Sequence, residues 1–211
     1  RPADFEPISM VAQQTLLLFA NPKLPAGTLP ELVAYARQHP GKLNYGSGAV
    51  MGQLVGEMLR AATGTDMTFV PFSGSQQAMN SLLAGDIDLV VADYAPFLPH
   101  IAKGSLKAIA TTGVHRESTL PRTATVQEQG YAGFQARNWF GLFAPHGTPR
   151  DIVDRLAADI AEIVSSPDLK TALQPLGLDT LSSTPDELAA AIQADTARWR
   201  PLIRAAGLRF D

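Results

Sequence analysis

From Ile8 to about Phe143, short apolar runs alternate with longer stretches in which apolar residues return every three or four positions. The short runs predict strands at Ile8–Val11 continuing to Leu16–Phe19, and at Leu43–Tyr45, Thr68–Phe72, Leu89–Ala92, Leu106–Thr111 and Trp139–Phe143. The periodic stretches predict helices over Leu29–Gln38, Met51–Thr63, Gln76–Ala84, Ala95–Lys103 and Thr125–Gln129. Strand and helix in alternation is the pattern of an α/β fold.

Beyond Pro145-His146-Gly147 the pattern turns to helices with explicit start signals. Thr148-Pro149-Arg150-Asp151 sets a hydroxyl before a proline, Ser166-Pro167-Asp168 does the same for a shorter helix, and Thr184-Pro185-Asp186-Glu187 is a capping box. The earlier Thr28-Leu29-Pro30-Glu31 opens its helix in the same manner. Ile152, Val153, Leu156, Ile160 and Ile163 form one apolar stripe, and Leu188, Ile192, Trp199, Leu202 and Ile203 form another. Each stripe needs an apolar surface over it. Within this C-terminal stretch the strand candidate is Asp179-Thr180-Leu181, too little for a sheet. The stripes therefore fold back on the middle of the chain or pack on a sheet encoded before Arg1.

Three strand ends carry the chemistry. Leu43-Asn44-Tyr45 runs through Gly46-Ser47-Gly48-Ala49 into a helix bearing Met51, Leu54, Val55, Met58 and Leu59. Thr68–Phe72 runs through Ser73-Gly74-Ser75 into a helix bearing Ala78, Met79, Leu82 and Leu83. The buried run Ile87–Ala92 delivers Asp93 and Tyr94 to a third helix start. The first turn of a helix leaves backbone N–H groups without partners and carries partial positive charge, and glycine lets a ligand approach that backbone. Ligands of open α/β sheets collect beyond the carboxyl ends of the strands. The three ends together point to a cleft for a small anionic molecule.

Composition narrows the field. At 211 residues the chain is long enough to bury a substantial core, as one large domain or two small ones. A net charge of −3 and the lack of a basic cluster argue against a nucleic-acid partner. No apolar run reaches the roughly 18 residues of a membrane span; the longest, Thr15–Ala20, has strand length and stops at Asn21-Pro22. With no cysteine there are no disulfides, iron–sulfur clusters or thiol chemistry. The opening Arg1-Pro2-Ala3-Asp4-Phe5 has neither a methionine nor a signal-like segment, and reads as processed or partial.

In order and spacing, several motifs resemble the Bug family of extracytoplasmic solute-binding receptors, the soluble component of tripartite tricarboxylate transporters. They are Leu43-Asn44-Tyr45-Gly46-Ser47, Val70-Pro71-Phe72-Ser73-Gly74, the run Leu82-Leu83-Ala84-Gly85-Asp86-Ile87-Asp88-Leu89, and Leu98-Pro99-His100-Ile101. Leu120-Pro121, Trp139-Phe140-Gly141-Leu142, Ala144-Pro145-His146-Gly147-Thr148-Pro149, Trp199 and Gly207 follow. The resemblance implies a two-lobed α/β fold of the type II periplasmic-binding-protein class, with no cofactor. It further implies a periplasmic monomer that takes a small carboxylate and hands it to membrane transporter subunits. On this reading residues 1–20 are a hinge strand region, 21–138 the second lobe, 139–147 the hinge return, and 148–211 helices belonging to the first lobe. The family's opening strand and glycine-rich loop have no counterpart here, so the N-terminal part of the first lobe is expected to be missing. The ligand loops carry over to Ser47, Gly48, Ala49, Ser73, Gly74, Ser75, Asp93 and Tyr94.

The family's pattern is also departed from. The run Gly46–Gln53 is shorter than in many members, Gln53 stands where they have histidine, and Ser73 stands where lysine is common. A less cationic cleft suits a monocarboxylate or a partly apolar acid. A sensor for a signalling partner and a truncated receptor that binds weakly are the other readings of the same fold.

Catalysis finds less support. Ser47 with His100 or His146 and Asp93 would make a nucleophile, base and orienting acid, but the full nucleophile elbow is absent. His39, His100, His115 and His146 show no metal-ligand spacing. Asp93 reads either as a cap for the helix after it or as an acceptor for an ammonium, hydroxyl or water. Tyr94 reads as a cleft wall or as packed core. Trp139 reads as hinge packing.

Overall fold

The structure is a computed structural model and describes residues 4–205 and Gly207. Arg1-Pro2-Ala3 lies outside the described residues. The chain forms two compact units, one joining Arg1–Gln14 to Asn138–Asp211 and the other comprising Thr15–Arg137. The long strand β1 (Phe5–Ala20) contributes its first part to the former and its last part to the latter.

In the unit Thr15–Arg137 the strands are the end of β1, β2 (Leu43–Ser47), β3 (Met67–Pro71), β4 (Leu89–Asp93) and β5 (Lys107–Thr111), in the order β3-β2-β4-β1-β5. β2 runs parallel to β3 and β4, so Ser47 lies opposite Pro71 and Gly46 opposite Val90. β1 runs antiparallel to β4 and β5. Parallel strands cannot be joined by a tight turn and require crossovers; α2 (Val50–Thr63) and α3 (Ser75–Ala84) supply them, after α1 (Leu29–Gln38). Leu16–Ala20 is buried throughout and so are four of the five residues of β4, as expected of central strands covered on both faces. Phe19 stacks on Phe97 at 4.1 Å between ring centres, in a core with Leu17, Ala78, Leu82 and Val90. Asn44 and Asp88 exchange backbone-to-side-chain hydrogen bonds of 2.9 Å, which lock β2 against the approach to β4.

Two predicted helices differ in the structure. Where a helix is expected over Ala95–Lys103, a 3-10 turn at Ala95–Phe97 leads into a short α4 (Leu98–Ala102). Pro96 and Pro99 lack the N–H groups that a longer helix would use. In place of the helix expected over Thr125–Gln129, Thr125 forms an isolated bridge with Thr111 and turns follow from Val126. The entry to this segment is tied to β5 by hydrogen bonds from Thr111 N to Ala124 O and from Val126 N to Thr111 O, which hold the chain extended. Thr125 and Glu128 still form the reciprocal bonds of a capping box.

In the other unit the start of β1 pairs with β6 (Arg137–Pro145) and with the two-residue β7 (Asp179–Thr180). The helices are α5 (Arg150–Ser165), α6 (Pro167–Leu173) and α7 (Pro185–Ala205). The stripe predicted on α5 divides. Val153, Ala157 and Ile160 pack with Ile8 and Ala144, while Ile152, Leu156 and Ile163 are exposed. On α7, Leu188 and Trp199 are buried. Trp139 donates its indole N–H to Asp195 at 2.7 Å, so its polar edge is satisfied within this unit.

Candidate functional site

Ser47 ends β2 and turns inward. It is 3% exposed; its hydroxyl donates to Ala49 O at 3.0 Å and accepts from Ala49 N at 3.2 Å. Gly52, one turn into α2, leaves room for that hydroxyl, because a side chain there would overlap it. Ser47 therefore shapes the loop instead of presenting a donor to a ligand. Ala49 caps α2 in extended geometry with no side-chain hydrogen bond, and the first turn holds no acidic residue. The first-turn amides of α2 thus have no side-chain acceptor.

Gly48 fixes the position of the second loop. A Cβ on Gly48 would overlap the Gly74 carbonyl group and the Ser75 amide nitrogen, so the two strand-to-helix loops meet backbone to backbone. Gly74 caps α3, again without a side-chain bond and with no acid in the first turn. Ser73 is exposed, and its N–H and hydroxyl both donate to Gln77 Oε1, at 3.2 and 2.8 Å. That pair, a serine and a glutamine four residues later, is legible in the sequence and was missed.

Asp93 ends β4 half-buried and accepts one hydrogen bond, from Ser75 Oγ at 3.4 Å. The 3-10 turn that follows has no side-chain cap, which corrects the capping role for Asp93. Tyr94 is 6% exposed and belongs to the core around Phe97, which favours packed core over cleft wall. The structure thus brings together Gly48, Gly74, Ser75 and Asp93, with Ala49 next to Gly48, and leaves Ser47 buried and Ser73 exposed.

The starts of α1, α6 and α7 are treated differently, while α5 also lacks a side-chain cap but carries Asp151 in its first turn. α1 has a complete capping box, in which Thr28 accepts from Glu31 N and Glu31 accepts from the Gly27 and Thr28 amides at 2.7 and 3.2 Å. The start of α7 has the same box between Thr184 and Glu187, and Ser166 caps α6. The amide of Gly27 above all holds the Glu31 carboxyl below its ordinary value, and the amide of Thr184 does so for Glu187. α2 and α3 keep their positive ends open where the strand ends converge.

A surface cavity of about 480 Å3 lies at the other end of this sheet, lined by Lys107, Thr119, Leu120 and Arg122 among others. Lys107 already donates to the carbonyls of Leu24 and Ala26 at 2.8 and 3.3 Å, so it serves the fold there. Among the described residues no group of three His, Cys, Asp or Glu side chains is placed to hold a metal ion, and no helix is long and apolar enough to cross a membrane.

The family described as the tripartite tricarboxylate transporter family receptor matches residues 2–208. Protein BugT of Bordetella pertussis is 31% identical over 209 residues, which cover 98% of this chain and 64% of BugT. A solved structure titled as Rpa4515 of R. palustris with adipate superposes with a TM-score of 0.85 at 30% identity, covering 98% of this chain and 70% of that one. MatC from Rhodopseudomonas palustris, solved with bound malate, gives 0.78 at 30% identity, covering 96% and 71%. The chain spans 60 to 64% of the length of the first curated relatives it matches.

Proposed function

The chain belongs to the tripartite tricarboxylate transporter receptor family, and from that premise we propose that it is a periplasmic solute-binding receptor for a small organic acid. It would pass the acid to membrane transporter subunits. The observation that carries this reading is the junction of two uncapped helix N-termini at Gly48, Gly74 and Ser75. Backbone N–H groups at two such ends neutralise a carboxylate without lysine or arginine, with ordered water completing the contacts. The adipate and malate of the solved relatives agree with a carboxylate ligand. Catalysis has no part in this reading.

The residues proposed to meet the acid are the backbone of Gly48, Ala49, Gly74 and Ser75, the Ser75 hydroxyl and Asp93. Ser47 and Tyr94 act from behind, one by fixing the loop and the other by packing. The unit Thr15–Arg137 would be the second lobe of the receptor. The test is a thermal-shift survey of purified protein of determined intact mass against adipate, malate, succinate and butyrate at millimolar concentration. A ligand that binds only the folded state raises the melting temperature. A rise with at least one acid is expected, and no rise with any of them would overturn the proposal.

A further inference from the structure

The cavity of about 480 Å3 at the far end of the sheet takes no part in the receptor reading, and none of its lining residues belongs to the loops at Gly48, Gly74 or Asp93. Its size falls in the range of small-molecule pockets, roughly 300–1,000 Å3. Lys107 and Arg122 line it, and no acidic side chain does. An ammonium group carries three donors. Two of those on Lys107 go to the carbonyls of Leu24 and Ala26, which anchors the group and leaves the third. Arg122 is exposed, and among the described residues it has no hydrogen-bond or ion-pair partner. Thr123 also lines the cavity and is only 9% exposed, yet its hydroxyl has no partner among the described residues either. Buried hydroxyls are ordinarily hydrogen-bonded, so this one is left for an occupant of the cavity.

The walls are held before anything binds. The amides of Leu120 and Thr123 donate to Glu117 O and Leu120 O, both at 2.9 Å, so the chain makes two successive turns there. Gln129 donates to the carbonyls of Ile109 and Ala124 and accepts from the Leu29 amide at 2.7 Å, which ties this loop and β5 to the start of α1. The Glu31 carboxyl, lowered above all by the Gly27 amide and least by the charge of Lys107, is engaged with the Gly27 and Thr28 amides and is not part of the lining. Ile101, Leu120 and Pro121 add apolar surface.

We propose that this cavity is a second binding site, which takes a phosphomonoester with an apolar body. The phosphate accepts from the Arg122 guanidinium, the remaining Lys107 donor and the Thr123 hydroxyl, and the body packs on Ile101, Leu120 and Pro121. Two positive side chains with no acid in the lining match a doubly charged head better than a carboxylate, and a planar guanidinium can engage two phosphate oxygens at once. This site neither uses nor requires the acid cleft.

The test is isothermal titration with phenyl phosphate, inorganic phosphate, benzoate and phenol, on the unaltered protein and on Arg122→Gln, Thr123→Val and Thr123→Ser. Phenyl phosphate is expected to bind. Inorganic phosphate, which lacks the apolar body, and benzoate, which carries less charge, should bind about tenfold more weakly, and phenol should give no signal. Arg122→Gln, at an exposed position, should weaken phenyl phosphate about tenfold or more and leave the melting temperature unchanged, the scale of a lost hydrogen bond to a charged group. Thr123→Val removes the hydroxyl and should weaken binding about threefold to tenfold, and Thr123→Ser should restore it. If Thr123→Val does not fold, Arg122→Gln decides. No binding of phenyl phosphate, or binding that Arg122→Gln leaves unchanged, would overturn the site, and benzoate binding as tightly as phenyl phosphate would overturn the phosphate head. None of these results bears on the survey of small acids, which tests the receptor reading separately.

Discussion

The start of α1 and the starts of α2 and α3 lie in one unit of the chain and have been finished in opposite ways. At α1 a threonine and a glutamate close the helix end on itself, with an acidic residue in the first turn. At α2 and α3 there is no side-chain cap and no first-turn acid, and the residues at the cap positions are alanine and glycine. A closed end contributes about 1 kcal/mol of stability and offers nothing to a ligand. An open end forgoes that contribution and keeps its amides for an anion. The two open ends at Gly48 and Gly74 meet backbone to backbone, and on the proposed reading one small molecule reaches both.

The sharpest way to break the contrast is to part the two loops. Gly48→Val places atoms where the Gly74 carbonyl and Ser75 amide now sit. We expect acid binding to fall about a hundredfold or out of reach of titration, the scale of two lost hydrogen bonds to a charged group. A melting curve should show a loss of about 1–3 kcal/mol from the forced backbone shift. Next in size is conversion of an open end into a closed one. Ala49 already has the extended backbone of a cap residue, so Ala49→Asp should stabilise the protein by about 0.5–1 kcal/mol. The same change should weaken acid binding about tenfold by occupying the amides and adding like charge, and titration and thermal unfolding should move in opposite directions. A gain in affinity would contradict the proposed role of the open end.

The converse substitution is Thr28→Ala, which opens the closed end of α1. It should lower stability by about 1 kcal/mol in chemical denaturation and leave acid affinity unchanged. The smallest effect is on pH dependence. Glu31, Glu128 and Glu187 have carboxyls lowered chiefly by the amides of Gly27, Thr125 and Thr184. A group lowered on folding stabilises the protein above its unfolded pKa, and that contribution disappears as pH falls through the folded value. Stability measured from about pH 6 downward should therefore begin to fall near the ordinary carboxyl range, about pH 4–4.5. In Glu31→Gln part of that fall should be absent.

Much of this was legible without coordinates. The helix expected over Leu29–Gln38 has those bounds in the structure, because Thr28, Pro30 and Glu31 are local instructions that act within one turn. The starts at Pro167 and Pro185 follow from the same kind of signal, whereas at α5 Pro149 takes the cap position itself, with no side-chain bond, and the Thr148 hydroxyl donates to Pro145 O, so the hydroxyl cap expected there is not formed. The predicted helix over Thr125–Gln129 carried a capping signal too, but its entry is hydrogen-bonded to the end of β5, and a distant partner overrode the local preference. The stripe on α5 showed which residues are apolar, yet its period could not tell Val153, which is buried, from Ile152, which is exposed.

By itself, the sequence determined the alternation of strands and helices, the capped starts of α1, α6 and α7, and that three strand ends bear small or polar residues. These properties depend on neighbours within a few positions. Only the tertiary structure decided that Gly48 meets Gly74 and Ser75, that Ser75 reaches Asp93, that the Ser47 hydroxyl turns inward against Gly52, and that Tyr94 joins the core. Such contacts follow from the parallel register of β2 with β3 and β4, which brings their carboxyl ends to one edge of the sheet. That register is set by packing and hydrogen bonding summed along whole strands, and no single stretch of sequence encodes it.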